Sequence, residues 1–175
     1  MNTTLVQCTF ESHAASILDI FNEAIVNSTA LYDYKLRTGE SMAGWFETKR
    51  VNRYPVIGLE NEEGILLGFG SYGTFRAWPA YKYTIEHSLY VHKDFRGQGL
   101  GKILLRGLIE KAGENGFHAM VGGIDAQNAG SIALHKKFGF EHVGTLPQVG
   151  FKFGKWLDLA FYQLLLSTPA CPNED

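Results

Sequence analysis

The sequence predicts an α/β domain built on a mainly antiparallel sheet with one parallel step. Three observations predict it. Short runs rich in Val, Ile, Phe and Tyr alternate with stretches of helical apolar spacing. A polar turn, Asn61-Glu62-Glu63-Gly64, separates two such runs and reads as a hairpin. The second half reads strand, helix, strand, helix, strand, strand, which needs one parallel crossover before a closing antiparallel pair. The 175 residues suit one domain, expected over 1–167. A polar, proline-broken tail at 168–175 is expected to fray.

The elements follow in order. Leu5 to Phe10 reads as a strand. A helix starts at Glu11-Ser12, with Ile17, Leu18, Phe21, Ala24 and Ile25 on one face. A second helix, about Glu40 to Arg50, carries Met42, Trp45 and Phe46 on one side and is closed off by Pro55. Val56–Leu59 and Ile65–Phe75 are the arms of the hairpin, and Tyr83–Val91 is a further strand. The clearest helix begins near Gly99. Leu100, Ile103, Leu104, Leu108 and Ala112 lie on one face, with Lys102, Arg106, Glu110 and Lys111 mainly on the other. It stops at Glu114-Asn115-Gly116. Ala119–Ile124 is a strand, Asn128–Phe138 a helix, and Glu141–Gly144 and Leu157–Leu166 the last strands.

Composition removes several classes. Hydrophobic residues are 45% and charged residues 19%, ordinary for a globular chain. A net charge of −2 argues against a nucleic-acid partner. No apolar run approaches the ~20 residues of a spanning helix, so no membrane partner is expected. Met1 to Phe10 shows no secretory pattern. Two cysteines without CxxC spacing suit a reducing, cytoplasmic setting. His13, His87, His92, His118 and His142 show no metal-ligand spacing, so no metal is expected.

The most informative segment is His92-Lys93-Asp94-Phe95-Arg96-Gly97-Gln98-Gly99-Leu100-Gly101-Lys102. A strand ends, a glycine-rich loop follows, and an amphipathic helix starts at once. The first N–H groups of a helix lack internal partners, and the macrodipole adds positive charge, so phosphates fit there. Arg96 and Lys102 add charge at the rim. Three alternate glycines in an opening turn cost roughly 0.5–1 kcal/mol each relative to Ala, which favours a need for exposed backbone. A GxGxxG fingerprint fails because position 102 is lysine. A P-loop fails because position 96 is arginine and Ile103 follows the lysine. The string present is Arg-x-x-Gly-x-Gly.

Arg96 to Gly101 after Ser88-Leu89-Tyr90-Val91 resembles the acyl-CoA pyrophosphate loop of the GNAT superfamily of N-acetyltransferases. Asn128 to Phe140 resembles the same superfamily's "N…S…L(Y/H)…GF" helix, and the likeness runs from about Leu5 to Leu166. Phe75–Val91, Gln148–Leu159 and Asn22-Glu23-Ala24-Ile25 with Trp45-Phe46 resemble one branch, the phosphinothricin and methionine sulfoximine (or sulfone) acetyltransferases. The resemblance implies a twisted mixed sheet flanked by helices and splayed between its fourth and fifth strands. It implies acetyl-CoA as acetyl donor. Leu89, Tyr90 and Val91 would offer backbone groups to the pantetheine, and Arg96, Gly97, Gln98, Gly99, Leu100, Gly101 and Lys102 would hold the diphosphate. Asn128 would meet the pantetheine or acetyl end, with Ser131 in support. Arg76, Ala77, Trp78, Glu86, His87 and Ser88 would face a small amino-acid-like acceptor. The branch also implies a homodimer, with Lys152 or Lys155 adding charge from the neighbouring subunit.

Acetyl transfer to an amine needs a base, because the amine is mostly protonated near neutrality. Strand alternation puts Glu86, Ser88 and Tyr90 on one face, opposite Ile85, His87, Leu89 and Val91. The resemblance assigns Glu86 as that base, directly or through water; its spacing alone equally suits a solvated strand carboxylate. His135 stands where many superfamily members carry a tyrosine acid, and histidine can donate a proton near neutral pH. It equally suits a packing role on its helix. Arg76 has the guanidinium fork that grips a carboxylate, or it stacks on Trp78 or Tyr81. No cysteine lies in these motifs, so direct transfer is expected. Two alternatives stand beside this reading: an acetyltransferase for a protein N-terminus or a polyamine, and a CoA-binding sensor without turnover.

Overall fold

The computed structural model describes residues 2–174. Its elements are β1 (Thr4–Gln7), α1 (Phe10–Asn27), α2 (Gly39–Val51), β2 (Val56–Glu60), β3 (Leu66–Thr74), β4 (Thr84–Val91), α3 (Leu100–Glu114), β5 (Ala119–Asp125), α4 (Ala129–Lys137), β6 (Glu141–Lys152) and β7 (Lys155–Leu165). Single 3-10 turns occupy Pro79–Tyr81 and Lys93–Phe95. Seven strands form one sheet in the order β1-β2-β3-β4-β5-β7-β6. The pairings β1·β2, β2·β3, β5·β7 and β6·β7 are antiparallel, and β4·β5 is parallel. That parallel ladder joins Thr84–Glu86 to Ala119–Val121 and goes no further, so the sheet opens past Glu86 between its fourth and fifth strands. Among the described residues no helix is long and apolar enough to cross a membrane.

The chain divides into two compact units, and the boundaries fall within β3 and β4. The first comprises residues up to Ser71 and Ser88–Gly107. Its α1 starts where the Thr9 side chain accepts a hydrogen bond from Ser12 N at 3.3 Å. Its α2 starts at a capping box in which Thr38 and Ser41 each bond the other's backbone. Asn22 pins the connection between them, bonding both the N–H and the carbonyl of Arg37, at 2.8 and 3.1 Å. The buried face of α1 is Ile17, Ile20, Phe21, Ala24 and Ile25, close to the expected stripe. Phe21 meets Trp45, Phe69 and Tyr90 at ring separations of 5.5, 4.9 and 5.2 Å. Each such pair adds about 0.5–1.5 kcal/mol beyond burial. The expected hairpin turn is held by Asn61, whose Oδ1 accepts from the N–H groups of Glu63 and Ile65.

The second unit comprises Tyr72–His87 and residues from Leu108 onward. Its core includes Ile85, Leu108, Met120, Phe140, Leu157 and Tyr162. Here one expectation needs correction: the strand read as Glu141–Gly144 extends to Lys152 and pairs with β7 as a long hairpin. Pro147 and the glycines at 144 and 150 masked it. An edge strand tolerates proline, and the register shifts between Leu146 and Gly150 absorb it. At that irregularity Gln148 takes φ 55° and its N–H donates to the Asp158 carboxylate at 2.8 Å. Residues of the tail also hydrogen-bond inward: Thr168 to Phe117 and His118, and Asn173 to Lys82 and Tyr83.

Candidate active site

The first unit carries the glycine-rich loop. Gly97 and Gly99 take φ values of 79° and 81°, the left-handed region that disfavours side chains. A Cβ added at either would meet nothing within 4 Å. Backbone conformation therefore demands glycine here, and the space above the loop is open. Helix α3 begins immediately after it, so the first N–H groups of the helix follow directly on the loop. The N–H of Lys102 donates to the Gly99 carbonyl at 3.0 Å, which closes the first turn. Open space at Gly97 and Gly99 beside a helix start, where the first N–H groups lack internal partners, fits a diphosphate. Arg96 does not stand free at the rim. It pairs with the Glu23 carboxylate of α1, and its Nε donates to the Val91 carbonyl at 3.3 Å. Tyr90 is buried against Phe21 and Phe69, while Leu89 and Val91 are half-buried.

The second unit carries Glu86 and the residues around it. Along β4, Ile85 and His87 are buried, whereas Glu86 and Ser88 are exposed. The carboxyl of Glu86 lies over Gly123 of β5, so close that a Cβ at 123 would sit 3.1 Å from Oε1. Partial burial raises the Glu86 carboxyl above its ordinary value, and the Arg76 charge opposes this without cancelling it. Such a carboxylate is a better base than an ordinary surface glutamate. Arg76 itself is exposed, with its guanidinium 5.3 Å from the Phe75 ring rather than stacked on an aromatic further along. Ala77 is exposed and Trp78 is 74% exposed, a large indole open to solvent two residues from Arg76.

Helix α4 is capped by Asn128, whose Oδ1 accepts from the Ser131 N–H at 3.0 Å. His135 is buried in the last turn. Its Nδ1 lies 2.7 Å from the Ser131 carbonyl and its Nε2 lies 3.2 Å from Nε2 of His87. Burial depresses the basicity of both rings. His87 falls to about 3, with His135 as a second cause, and His135 is also lowered, by burial against its Ser131 hydrogen bond. Lys152 is buried with its ammonium 5.0 Å from the Phe153 ring, and Lys155 donates to Gln127 at 3.3 Å. Among the described residues no cluster of His, Cys, Asp or Glu is arranged to hold a metal.

The structure thus brings Glu86, Arg76 and Gly123 together in one neighbourhood, and His87, Gly122, Ser131 and His135 in another. Sequence reasoning missed the two glycines and the Glu23 partner of Arg96. The doublet Gly122-Gly123 inside a strand was the available signal, since strand glycines often mark a close approach.

The acetyltransferase (GNAT) family profile matches residues 15–140. A methionine sulfoximine/methionine sulfone acetyltransferase of Pseudomonas aeruginosa is 45% identical over 150 residues, covering 86% of this chain and 87% of that one. A solved chain from Acinetobacter baylyi, described as a candidate acetyltransferase, is 61% identical and superposes with a TM-score of 0.98 over 99% of this chain and 97% of that one. A phosphinothricin acetyltransferase from Sinorhizobium meliloti, solved in complex with acetyl-CoA, is 35% identical with a TM-score of 0.92, over 98% and 93% of the two chains. A mixed seven-stranded sheet, a glycine loop at a helix start and a family match over most of the chain agree: this protein belongs to the acetyltransferase (GNAT) family, whose acetyl donor is acetyl-CoA.

Proposed function

We propose that the protein transfers acetyl from acetyl-CoA to the α-amino group of a small amino-acid-like acceptor of the methionine sulfoximine, methionine sulfone or phosphinothricin type. The names of the relatives support the acceptor class. The observation that carries the chemistry is the Glu86 carboxyl, which lies over Gly123 where the β4·β5 ladder ends, with burial raising its basicity against the Arg76 charge. Glu86 takes the proton of the acceptor ammonium, directly or through water, and Arg76 holds the acceptor carboxylate. Acetyl-CoA supplies an activated thioester carbonyl when bound. The freed amine attacks that carbonyl and the C–N bond forms; the nitrogen gives up its second proton, the C–S bond breaks, and the thiolate leaves as the CoA thiol on taking one proton. The N–H groups around Gly97–Gly101 hold the diphosphate, and the backbone of Leu89–Val91 meets the pantetheine.

A covalent acyl-cysteine is not needed. Burial pushes the Cys8 thiol up to about 12, which leaves little thiolate, and Cys171 lies in the tail. A proton-donor role for His135 needs a proton on Nε2, the atom that here faces His87. We therefore take the thiol's proton to be the one the nitrogen releases after attack, passed directly or through solvent. We also propose a cytoplasmic homodimer. Exposed Leu146, Val149, Phe151, Phe153 and Trp156 on the β6–β7 hairpin form an apolar surface suited to a second copy. Sedimentation of a monomer at micromolar concentration overturns that part.

The test is thiol release from acetyl-CoA against phosphinothricin, methionine sulfoximine, methionine sulfone, ordinary amino acids, spermidine and a short peptide. Saturable turnover with the first three, reduced about 10²–10⁴-fold in Glu86→Gln, is expected. Turnover only with spermidine or peptide overturns the acceptor class. Binding of CoA without any turnover makes the protein a sensor.

A further inference from the structure

Helix α4 has one fully buried side chain. Of its nine residues His135 is buried, and Ser131, Ile132 and Leu134 are half-buried. The buried ring is 3% exposed and packs on His87, which is 6% exposed, with ring centroids 5.1 Å apart and planes 26° from parallel. Phe140 closes the other side, 5.5 Å from His87 and 5.1 Å from His135. The floor is Gly122 of β5. A Cβ there would lie 3.0 Å from His87 Nε2 and 3.2 Å from His135 Nε2, so the close approach of the two imidazoles needs a residue without a side chain.

The proton positions follow from the partners. A carbonyl only accepts, so Nδ1 of His135 carries its hydrogen toward the Ser131 carbonyl. The buried ring is neutral, so its Nε2 is bare and accepts. His87 must then donate from Nε2, leaving its own Nδ1 as a buried lone pair with no partner among the described residues. Apart from the partner ring, no charged group contributes to the depressed basicity of either imidazole. The arrangement is a one-way chain: His87 Nε2–H to His135, His135 Nδ1–H to Ser131.

We infer that His87 is a positioning residue: by donating its Nε2–H to His135 it seats helix α4, and with it Asn128 and Ser131, against the strand that carries Glu86. This rests on the acetyl-transfer reading for its consequence in catalysis, but the seating itself does not. His87 neighbours Glu86 in sequence yet faces away from it, and it acts through His135 rather than on the acceptor.

The experiment compares His87→Phe, which keeps a ring but has no donor, with His87→Gln, which keeps an N–H donor. Nitrogen-detected imidazole spectra of the wild type should show a bare Nε2 and protonated Nδ1 at His135, the reverse at His87, and His87 uncharged at pH 5.5. Amide exchange across residues 129–137 should accelerate about tenfold in His87→Phe and recover in His87→Gln, with β7 unchanged. The kcat for methionine sulfone should fall about tenfold in His87→Phe with KM for acetyl-CoA little changed, and His87→Gln should restore most of it. Unchanged exchange in a folded His87→Phe overturns the inference, as does His87→Gln behaving like His87→Phe, or a protonated Nε2 on His135. If His87→Phe does not fold, the wild-type spectra and the exchange in His87→Gln and Gly122→Ala still decide. Altered exchange together with no turnover of any acceptor by the wild type refutes the acetyl-transfer reading and leaves the seating intact.

Discussion

Gly123→Ala separates stability from chemistry at the proposed base. The added Cβ would stand 3.1 Å from Glu86 Oε1 and 3.4 Å from Leu159 Cδ1. The second distance is an ordinary contact; the first is too short by a few tenths of an ångström. The flexible carboxyl end yields before two paired strands do, so the substitution moves the carboxyl while leaving the sheet in place. Replacing a strand glycine by alanine removes unfolded-chain entropy worth about 0.4–1 kcal/mol, so the thermal midpoint should hold or rise. A 1 Å misplacement of a catalytic group can cost about 10²-fold, and a shift of under half that should cost about tenfold in kcat/KM, or roughly 1.4 kcal/mol. Thiol-release kinetics with methionine sulfone, beside calorimetric unfolding, read both quantities. A variant that keeps its midpoint and stays within twofold of wild-type kcat/KM refutes the assignment of Glu86 as base. A lowered midpoint refutes the claim that the carboxyl, rather than the sheet, gives way.

Arg76→Met removes the charge that restrains Glu86 and leaves the effect of burial unopposed. The acid limb of kcat/KM should move to higher pH, because the base must be ionised to act, and KM for the acceptor should rise about 10–100-fold. Linkage has the matching sign. The folded state holds the Glu86 proton more tightly than the unfolded chain, so stability falls as pH rises from the ordinary glutamate range through the raised folded value, and falls further in Arg76→Met. An acid limb that stays in place rules out the pairing. Arg96→Ala and Glu23→Gln test whether the loop arginine tethers the loop or grips phosphate. A tether predicts that both raise KM for acetyl-CoA about three- to tenfold with little change in the midpoint, since exposed pairs contribute about 0–1 kcal/mol. Direct phosphate contact predicts that Glu23→Gln frees the arginine and lowers KM.

Local order was the legible part. The stripe of Ile17, Phe21 and Ala24 marks α1 because a helix repeats every 3.6 residues wherever its tertiary neighbours lie. Asn61 to Gly64 marks a turn for equally local reasons, whereas Gly97 and Gly99 read as exposed backbone and only the structure shows that positive φ requires them. The full length of β6 was not legible, because Pro147 and flanking glycines look like a loop and only pairing with β7 makes them a strand. Glu86 could be placed on an open face by alternation, but not its raised basicity, which comes from burial, nor its place over Gly123, 37 positions away. The Arg96–Glu23 pair spans 73 positions and the His87–His135 pair 48, and no residue pattern encodes either. By itself, then, the sequence determined the α/β class, the glycine loop that opens α3 and the residues available for the chemistry. The tertiary structure alone decided which of them meet, which are desolvated and which partner each imidazole nitrogen faces. Dihedral preference and periodicity act over a few residues, whereas burial and hydrogen-bond partnership depend on chain segments that only folding brings into contact.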